Sequence, residues 1–124
     1  MLKENLKYFN TSDDCPVRNV LDRVGDKWSI LIISLLGEEG TLRFNQLNTL
    51  IGTISQKMLT VTLKTLEADG LISREIFPQV PPRVEYTLTD LGQSLLPAMK
   101  GLTKWAVENM PAIKASRERY SLRK

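Results

Sequence analysis

The sequence of 124 residues contains no histidine and only one cysteine, and these shortages exclude most catalytic and metal-binding chemistry. Without histidine, the chain cannot form a Ser-His-Asp triad, a Cys-His nucleophile or a histidine-ligated metal site. One cysteine, Cys15, cannot form an internal disulfide or a structural zinc site, and its isolation fits a reducing compartment. The sequence also has no Gly-x-Gly-x-x-Gly or Walker-type phosphate loop. We therefore expect a protein that is not an enzyme and that uses no cofactor.

Long apolar runs are missing as well, and this predicts a cytoplasmic protein without a membrane partner. No stretch is long enough to span a bilayer, and residues 1–5 carry a charge pair instead of the apolar core of a signal peptide. The length, with 42% hydrophobic and 25% charged residues, is typical of one soluble globular domain.

Charge of one sign is also scarce, because 17 basic and 14 acidic residues leave a net charge of only +3. Its distribution is uneven: the first 40 residues hold 5 basic and 7 acidic side chains, whereas residues 87–124 hold 7 basic and 3 acidic ones. The segment from Gly40 to Leu66 contains no Asp or Glu but includes Arg43, Lys57 and Lys64. Such a segment suits a surface that faces phosphates, since carboxylates would repel a nucleic-acid backbone. The alternative is a pair of helices that are merely polar.

Apolar periodicity and glycine breaks predict three helices in the first 50 residues. Pro16 suits the first position of a helix, and Gly25 ends that helix. Asp26 is the expected N-cap of the second helix, which is apolar nearly all round and forms the buried centre of the domain. A turn is expected over residues 37–40. The predicted helices are Pro16–Val24, Lys27–Leu36 and Arg43–Leu50, the last with Phe44, Leu47 and Leu50 or Ile51 facing inward.

A fourth helix, capped by the Ser55 hydroxyl after a Gly52-Thr53 turn, carries the main candidate site. It stops at Asp69-Gly70. Its apolar stripe consists of Leu59, Leu63 and Leu66, joined by Met58. Its opposite face consists of Lys57, Thr60, Val61 and Lys64, with Gln56 in the first turn. Two helices joined by a tight glycine-containing turn form a helix-turn-helix unit.

Two strands follow this helix at once. Leu71–Phe77 and Arg83–Leu88 are rich in β-branched and aromatic residues, and the proline-rich segment between them cannot continue a ladder. Arg74 interrupts the alternation of the first strand. A polar helix followed by a short hairpin is the layout of a winged helix-turn-helix, whose helix enters the DNA major groove. We therefore predict a mainly α fold with a small β-hairpin and with dimerisation helices at both ends.

A long helix is predicted after Thr89, its expected N-cap, with Pro97 kinking it and Pro111 interrupting it. Lys114–Lys124 is then a last basic segment. The apolar stripe either packs on the core alone or, because it exceeds what this small core covers, packs against a second subunit. The residues expected at a dimer interface are Leu91, Leu95, Met99, Leu102, Trp105 and Ala106. The expected organisation is an arm over 1–14, a DNA-binding domain with its dimerisation helix over 15–110, and a basic tail or short helix over 111–124.

The polar face of the fourth helix predicts contacts with base edges. Gln pairs with adenine and Lys with guanine, while the methyl group of Thr contacts thymine. The alternative is an ordinary solvated helix face. Arg83, after the proline turn, either enters a minor groove or clamps a phosphate, or else forms an ion pair with Glu75 or Glu85. Arg43 is expected on backbone phosphate. The predicted DNA-binding residues are Arg43, Ser55, Gln56, Lys57, Thr60, Lys64 and Arg83.

Cys15 precedes Pro16 and therefore lies at a helix N-terminus, where backbone N–H groups stabilise a thiolate. Arg18 supports that effect, whereas Asp13 and Asp14 oppose it. Two alternatives stay open: a reactive thiol, or an inert and partly buried one. Oxidation of this cysteine can end only in an adduct, a mixed disulfide or a disulfide between subunits.

A series of motifs occurs in order along the chain: Cys15-Pro16, Gly25-Asp26-Lys27-Trp28, Arg43-Phe44-Asn45-Gln46-Leu47, Ile54-Ser55-Gln56-Lys57-Met58-Leu59, Leu63, Leu66-Glu67-Ala68-Asp69-Gly70-Leu71-Ile72, Pro81-Pro82-Arg83-Val84-Glu85-Tyr86, Leu88-Thr89 and Gly92. Together these motifs resemble those of the HxlR-type winged helix-turn-helix transcriptional regulators. The resemblance covers roughly residues 15–105, and one departure is Asp26, where many members carry a second glycine.

The resemblance implies a prokaryotic dimeric regulator that binds double-stranded operator DNA. It also implies a candidate sensor role for Cys15, because some relatives detect electrophiles, aldehydes or oxidants through the matching cysteine. We expect a homodimer on a palindromic promoter site, acting as a repressor rather than an activator. The competing interpretation is a winged-helix module that binds another protein and no specific DNA.

Overall fold

The computed structural model describes residues 15–123, so the predicted arm over residues 1–14 lies outside the described residues. Five helices and three strands follow one another along this part of the chain. The helices are α1 (Pro16–Val24), α2 (Lys27–Glu39), α3 (Phe44–Ile51), α4 (Gln56–Ala68) and α5 (Asp90–Leu122). The strands are β1 (Thr41–Arg43), β2 (Ile72–Phe77) and β3 (Arg83–Leu88). The predicted mainly α fold with a β-hairpin is confirmed.

The three strands form one antiparallel sheet in the order β1-β3-β2. The hairpin of β2 and β3 was predicted from the sequence, but β1 was not. β1 pairs Leu42 with Tyr86 and passes directly into α3, so its three residues lack the alternating pattern by which a strand is recognised. β1 connects the end of α2 to the hairpin of β2 and β3, which is the wing of this fold. The wing is therefore anchored to the helical body.

Side-chain caps fix the starts of three helices as the sequence predicted. The backbone N–H of Ser29 donates to Asp26 Oδ1 at 2.8 Å, and that of Met58 donates to Ser55 Oγ at 3.0 Å. The N–H of Gly92 donates to Thr89 Oγ1 at 3.1 Å. Each cap stabilises its helix by about 1 kcal/mol, because it satisfies an N–H group that the helix itself leaves without a partner.

The core lies between α2, α4 and the sheet, and it refines the predicted inward faces. Leu50 is exposed and Ile51 half-buried, so Ile51 is the inward residue of α3. Met58 was expected in the buried stripe of α4 but is 42% exposed, and Thr62 is buried in its place. Thr62 is tolerated there because its hydroxyl donates to the Met58 carbonyl at 2.7 Å. The buried core residues of these three regions and of α3 include Ile32, Ile33, Leu36, Leu47, Leu59, Leu63, Leu66 and Ile72.

α2 is longer than predicted and is buried on one side only. It continues to Glu39, although a turn was expected from Gly37. Gly37 lies inside the helix, and its lack of a side chain leaves room for Leu96 of α5. A Cβ atom at Gly37 would come within 2.8 Å of the Leu96 side chain. The glycine therefore permits close packing of two helices instead of ending one. Leu31, at 42% exposure, shows that α2 is not buried all round as the sequence predicted.

α5 runs as one helix of 33 residues through Pro97 and Pro111, so the predicted interruption at Pro111 is wrong. Proline leaves the carbonyl four residues earlier without a partner. That residue is Val107, whose side chain is 72% exposed, so water can reach this part of the helix. The kink expected at Pro97 stays a prediction. Despite this length, no helix within residues 15–123 is apolar enough to cross a bilayer.

Candidate nucleic-acid interface

α4 turns its polar residues outward because its leucines are anchored in the core. Leu59 and Leu66 are fully buried, so the helix cannot rotate without exposing them to water. The face predicted to contact DNA is solvent-exposed, with its residues Gln56, Lys57, Thr60, Val61 and Lys64. The cap by Ser55 fixes the N-terminal turn of that face. The structure therefore brings together five of the seven residues predicted to bind DNA.

Thr60 has a more restricted chemistry than the sequence suggests. Its hydroxyl donates to the Gln56 carbonyl at 2.8 Å, within the helix. The hydroxyl hydrogen is thus used locally, and the methyl group and the oxygen lone pairs remain for a ligand. Contact with a thymine methyl group agrees with this geometry better than donation to a base edge does.

Arg43 precedes α3 and is held from two sides. Its backbone N–H donates to Gln46 Oε1 at 2.8 Å, and its Nε lies 4.0 Å from Glu85 Oε2. The side chain is 51% exposed, so the ion pair is weak and screened by solvent. Arg43 therefore remains available to a phosphate.

Arg83 is drawn back from the wing tip into an ion pair. Its Nε lies 3.3 Å from Glu85 Oε2 and its guanidinium lies 4.1 Å from the centroid of the Phe77 ring. The Nε atom is buried without a well-aligned hydrogen bond, so the contact with Glu85 is electrostatic. Of the two alternatives for Arg83, the structure shows the ion pair with Glu85. Val80, fully exposed between the two strands, lies at the tip instead.

Arg74 is a cation of this surface that was not predicted to bind DNA, because in the sequence it only interrupts the alternation of a strand. It lies on β2 opposite Tyr86, and its Nε is 3.5 Å from Glu67 Oε1 at the end of α4. The strand alternation places it on the side of the hairpin that faces α4. The sequence signal that marks it is its position as a cation four residues after the helix stop at Asp69-Gly70.

α1 is tied to the end of α4 by an ion pair between residues 46 positions apart. Arg23 Nε and Nη2 donate to the two carboxylate oxygens of Asp69, each at 2.9 Å. This pairing, through its hydrogen bonds and then its charge, raises the pKa of Arg23 above its ordinary value. Asp69 is the C-cap of α4, so the bidentate contact links α1, whose N-cap is Cys15, with the predicted DNA-contacting helix.

Cys15 occupies the N-cap position of α1, as predicted, but it is only 1% exposed. It makes no side-chain cap hydrogen bond to the helix. Arg18, expected to support a thiolate, lies with its Nε 3.7 Å from Asp22 Oδ2. A reagent can therefore reach the sulfur only after local opening of the segment around it.

The exposed α4 face, its Ser55 cap and the adjoining wing of β2 and β3 define a winged helix-turn-helix transcriptional regulator. The profile of the HxlR-like helix-turn-helix family matches residues 23–114, and the chain belongs to this family. It is 42% identical over 118 residues to the HTH-type transcriptional regulator YtfH of Escherichia coli, covering 94% of this chain and 93% of that protein.

Two solved structures show the same architecture. One is the transcriptional regulator YtfH from Salmonella typhimurium, with a TM-score of 0.78 and 41% identity over 88% of this chain and 97% of that chain. The other is the redox regulator HypR in its reduced form, with a TM-score of 0.75 and 38% identity over 81% of this chain and 98% of that chain.

Proposed function

We propose that this regulator is a cytoplasmic homodimer that binds a specific palindromic DNA operator and represses transcription. The observation that carries the proposal is the exposed face of α4, which presents amide, ammonium and methyl groups but no carboxylate over its first two turns. These are the groups that distinguish base pairs in the major groove. Bound to a promoter, such a dimer blocks polymerase by occupying its site, without requiring a separate activating surface.

The homodimer is supported by apolar surface that one chain leaves in solvent. Leu91, Leu102 and Trp105 on α5 are each more than half exposed. On α1, Leu21 is also more than half exposed and Val20 is half exposed. A soluble monomer seldom exposes contiguous apolar side chains of this size. Met99, which was expected at the interface, is 6% exposed and belongs to the core of one chain. The proposed interface therefore consists of Leu91, Leu95, Leu102, Trp105 and Ala106, together with the exposed apolar residues of α1.

In vitro selection from a random duplex pool tests the proposed specificity. We expect enrichment of a palindrome whose half-sites are about 34–36 Å apart, or a multiple of that spacing, because a two-fold dimer places two α4 helices on successive turns. Enrichment of a single asymmetric half-site would contradict the dimeric arrangement. A pool that stays random after repeated rounds would contradict sequence-specific binding itself.

We also propose that Cys15 senses oxidants or electrophiles. Its helix is linked to the end of α4 through Arg23 and Asp69, so opening around Cys15 changes the support of the DNA-contacting helix. The similarity to a redox regulator, HypR, supports this role.

Diamide treatment tests the sensor. Diamide accepts two protons and two electrons as the sulfurs of two thiols form an S–S bond, so the product is a disulfide between the Cys15 residues of two subunits, or one with an added small thiol. We expect the treatment to change operator affinity at least severalfold, and Cys15→Ser to remove the change while binding operator normally. An equal response of wild type and Cys15→Ser would show that Cys15 is structural.

A further inference from the structure

We infer a phosphate-binding site between α4 and the wing, in which Arg74 and Lys64 hold a phosphodiester of the DNA backbone. The inference rests on the proposed DNA binding, and it adds a contact that the polar face of α4 does not include. The site is a cavity of about 200 Å³ between the helix and the hairpin. Its lining includes Thr60, Lys64, Glu67, Arg74 and Tyr86.

Two cations from different elements converge on this cavity. Lys64 comes from the exposed face of α4, and Arg74 comes from β2. The one carboxylate in the lining is that of Glu67, so the site keeps a net positive charge. A water occupies roughly 30 Å³ in the liquid, so the cavity has room for a phosphate group with a few waters. Charge and size together suit an anion with several oxygen acceptors.

Arg74 is held loosely enough to exchange its partner. Its Nε lies 3.5 Å from Glu67 Oε1, and both side chains are more than one-third exposed, at 44% and 38%. Such pairs contribute little to stability because water screens them. A phosphate offers the guanidinium a shorter, bidentate contact, so binding DNA releases Glu67 from Arg74. The ion pair with Glu67 thus orients Arg74 in the free protein.

Tyr86 provides a neutral hydroxyl beside Arg74. The two residues are paired across β2 and β3, and Tyr86 is 9% exposed. Burial raises the pKa of Tyr86 above its ordinary value, and the neighbouring Arg74 only partly opposes this. The hydroxyl is therefore protonated at neutral pH and remains a hydrogen-bond donor.

The position of the cavity identifies DNA as the source of the phosphate. Thr60 and Lys64 belong both to the lining and to the face of α4 that is proposed to enter the major groove. The major groove is bordered by the phosphate backbones of the two strands, so a helix that lies in the groove has phosphates along its sides. A contact at this position fixes the register of α4 on the duplex without distinguishing sequences.

Matched variants test the site by fluorescence anisotropy with operator and shuffled duplexes over a range of salt concentrations. We expect Arg74→Ala to lower the affinity for both duplexes equally, roughly tenfold at low salt. We also expect it to lower the slope of log affinity against log salt by about one. Arg18→Ala is the control, because Arg18 is similarly exposed and also lies in an ion pair, with Asp22. This control is expected to leave affinity and slope near wild type.

Glu67→Gln gives the opposite and more specific result. Removing the competing carboxylate is expected to strengthen binding to both duplexes severalfold, more than Asp22→Asn does on α1. In an Arg74→Ala background the gain from Glu67→Gln is expected to shrink, because Glu67 acts largely through Arg74. Thermal unfolding of each variant checks that the fold is retained.

Three results would overturn the phosphate site. If wild type binds its operator specifically but Arg74→Ala matches Arg18→Ala, the site is wrong while the proposed function stands. A second outcome is that inorganic phosphate raises the Tm of wild type but not of Arg74→Ala, while the two proteins bind DNA with equal affinity. In that case the cavity binds a free anion, and its assignment to the DNA backbone is wrong. If wild type binds no duplex, both proposals fail.

Discussion

Replacing Leu102 and Trp105 together by aspartate is expected to convert the proposed dimer into monomers and to lower operator affinity about 10²- to 10⁴-fold, the usual range for losing a linked second site. Both side chains are more than half exposed in one chain, at 57% and 56%, so the substitutions leave the protomer core intact. In a dimer interface the same positions would hold carboxylates away from water, which strongly disfavours association. Each monomer then binds one half-site only.

Sedimentation velocity and anisotropy on the same samples measure this result. Val107→Asp is the matched control: it lies on α5 about 140° around the helix from Leu102, at 3.6 residues per turn, and it is 72% exposed. We expect Val107→Asp to remain a dimer with normal affinity. If the double variant stays dimeric, the interface lies elsewhere. If it is monomeric and binds as tightly as wild type, dimerisation is not needed for DNA binding.

Replacing Lys57 and Lys64 by alanine is the second large effect we expect. Each substitution should weaken operator binding about 10- to 100-fold, since a good base contact contributes about 1–3 kcal/mol of discrimination. Loss of a lysine that contacts a base lowers specificity as well as affinity. Loss of a lysine that contacts phosphate weakens binding to all duplexes and lowers the slope of log affinity against log salt by about one. The second pattern is expected for Lys64, because it also lines the phosphate cavity.

Anisotropy titrations at two salt concentrations distinguish these patterns. Lys100→Ala removes the same charge from an exposed position on α5 and serves as the control. The assignment of α4 as the DNA-contacting helix requires both lysine variants to differ from Lys100→Ala. Equal affinities for all three would show that DNA, if bound, contacts another face.

Features that depend on nearby residues could be predicted from the sequence. The caps at Asp26, Ser55 and Thr89 were predicted because each needs only an N–H group three residues ahead. The polar face of α4 followed from its helical period, which also identified the buried leucines opposite. The face was predictable because local periodicity and burial agree along most of the helix, with Met58 and Thr62 as the departures.

Features that depend on distant partners could not be predicted in the same way. β1 is a strand only because β3 pairs with it 42 to 46 residues later, from Arg43 and Glu85 to Thr41 and Thr87. Gly37 was expected to end a helix, but its role is set by Leu96 on α5. The links between Arg23 and Asp69 and between Glu67 and Arg74 also join different elements. In each case, tertiary packing decides the role of a residue whose local context favours another.

Arg83 shows the same limit within the candidate site. A cation beside a proline turn suggested a contact at the wing tip, with an ion pair as the alternative. In the structure Glu85 and Phe77 hold the guanidinium, and these neighbours become close only when β2 and β3 pair. We therefore place Arg83 last among the proposed DNA contacts, because it must leave Glu85 to reach a groove or a phosphate.

Binding of a specific duplex through α4 is the central claim, and a titration of wild-type protein tests it most directly. The protein is titrated into the selected operator and into a shuffled duplex of equal length and composition, at two salt concentrations. We expect the operator to be bound at least about 10³-fold more tightly, with both affinities falling as salt rises. Equal binding of the two duplexes, or none, would contradict the claim and favour a winged-helix module that binds another protein.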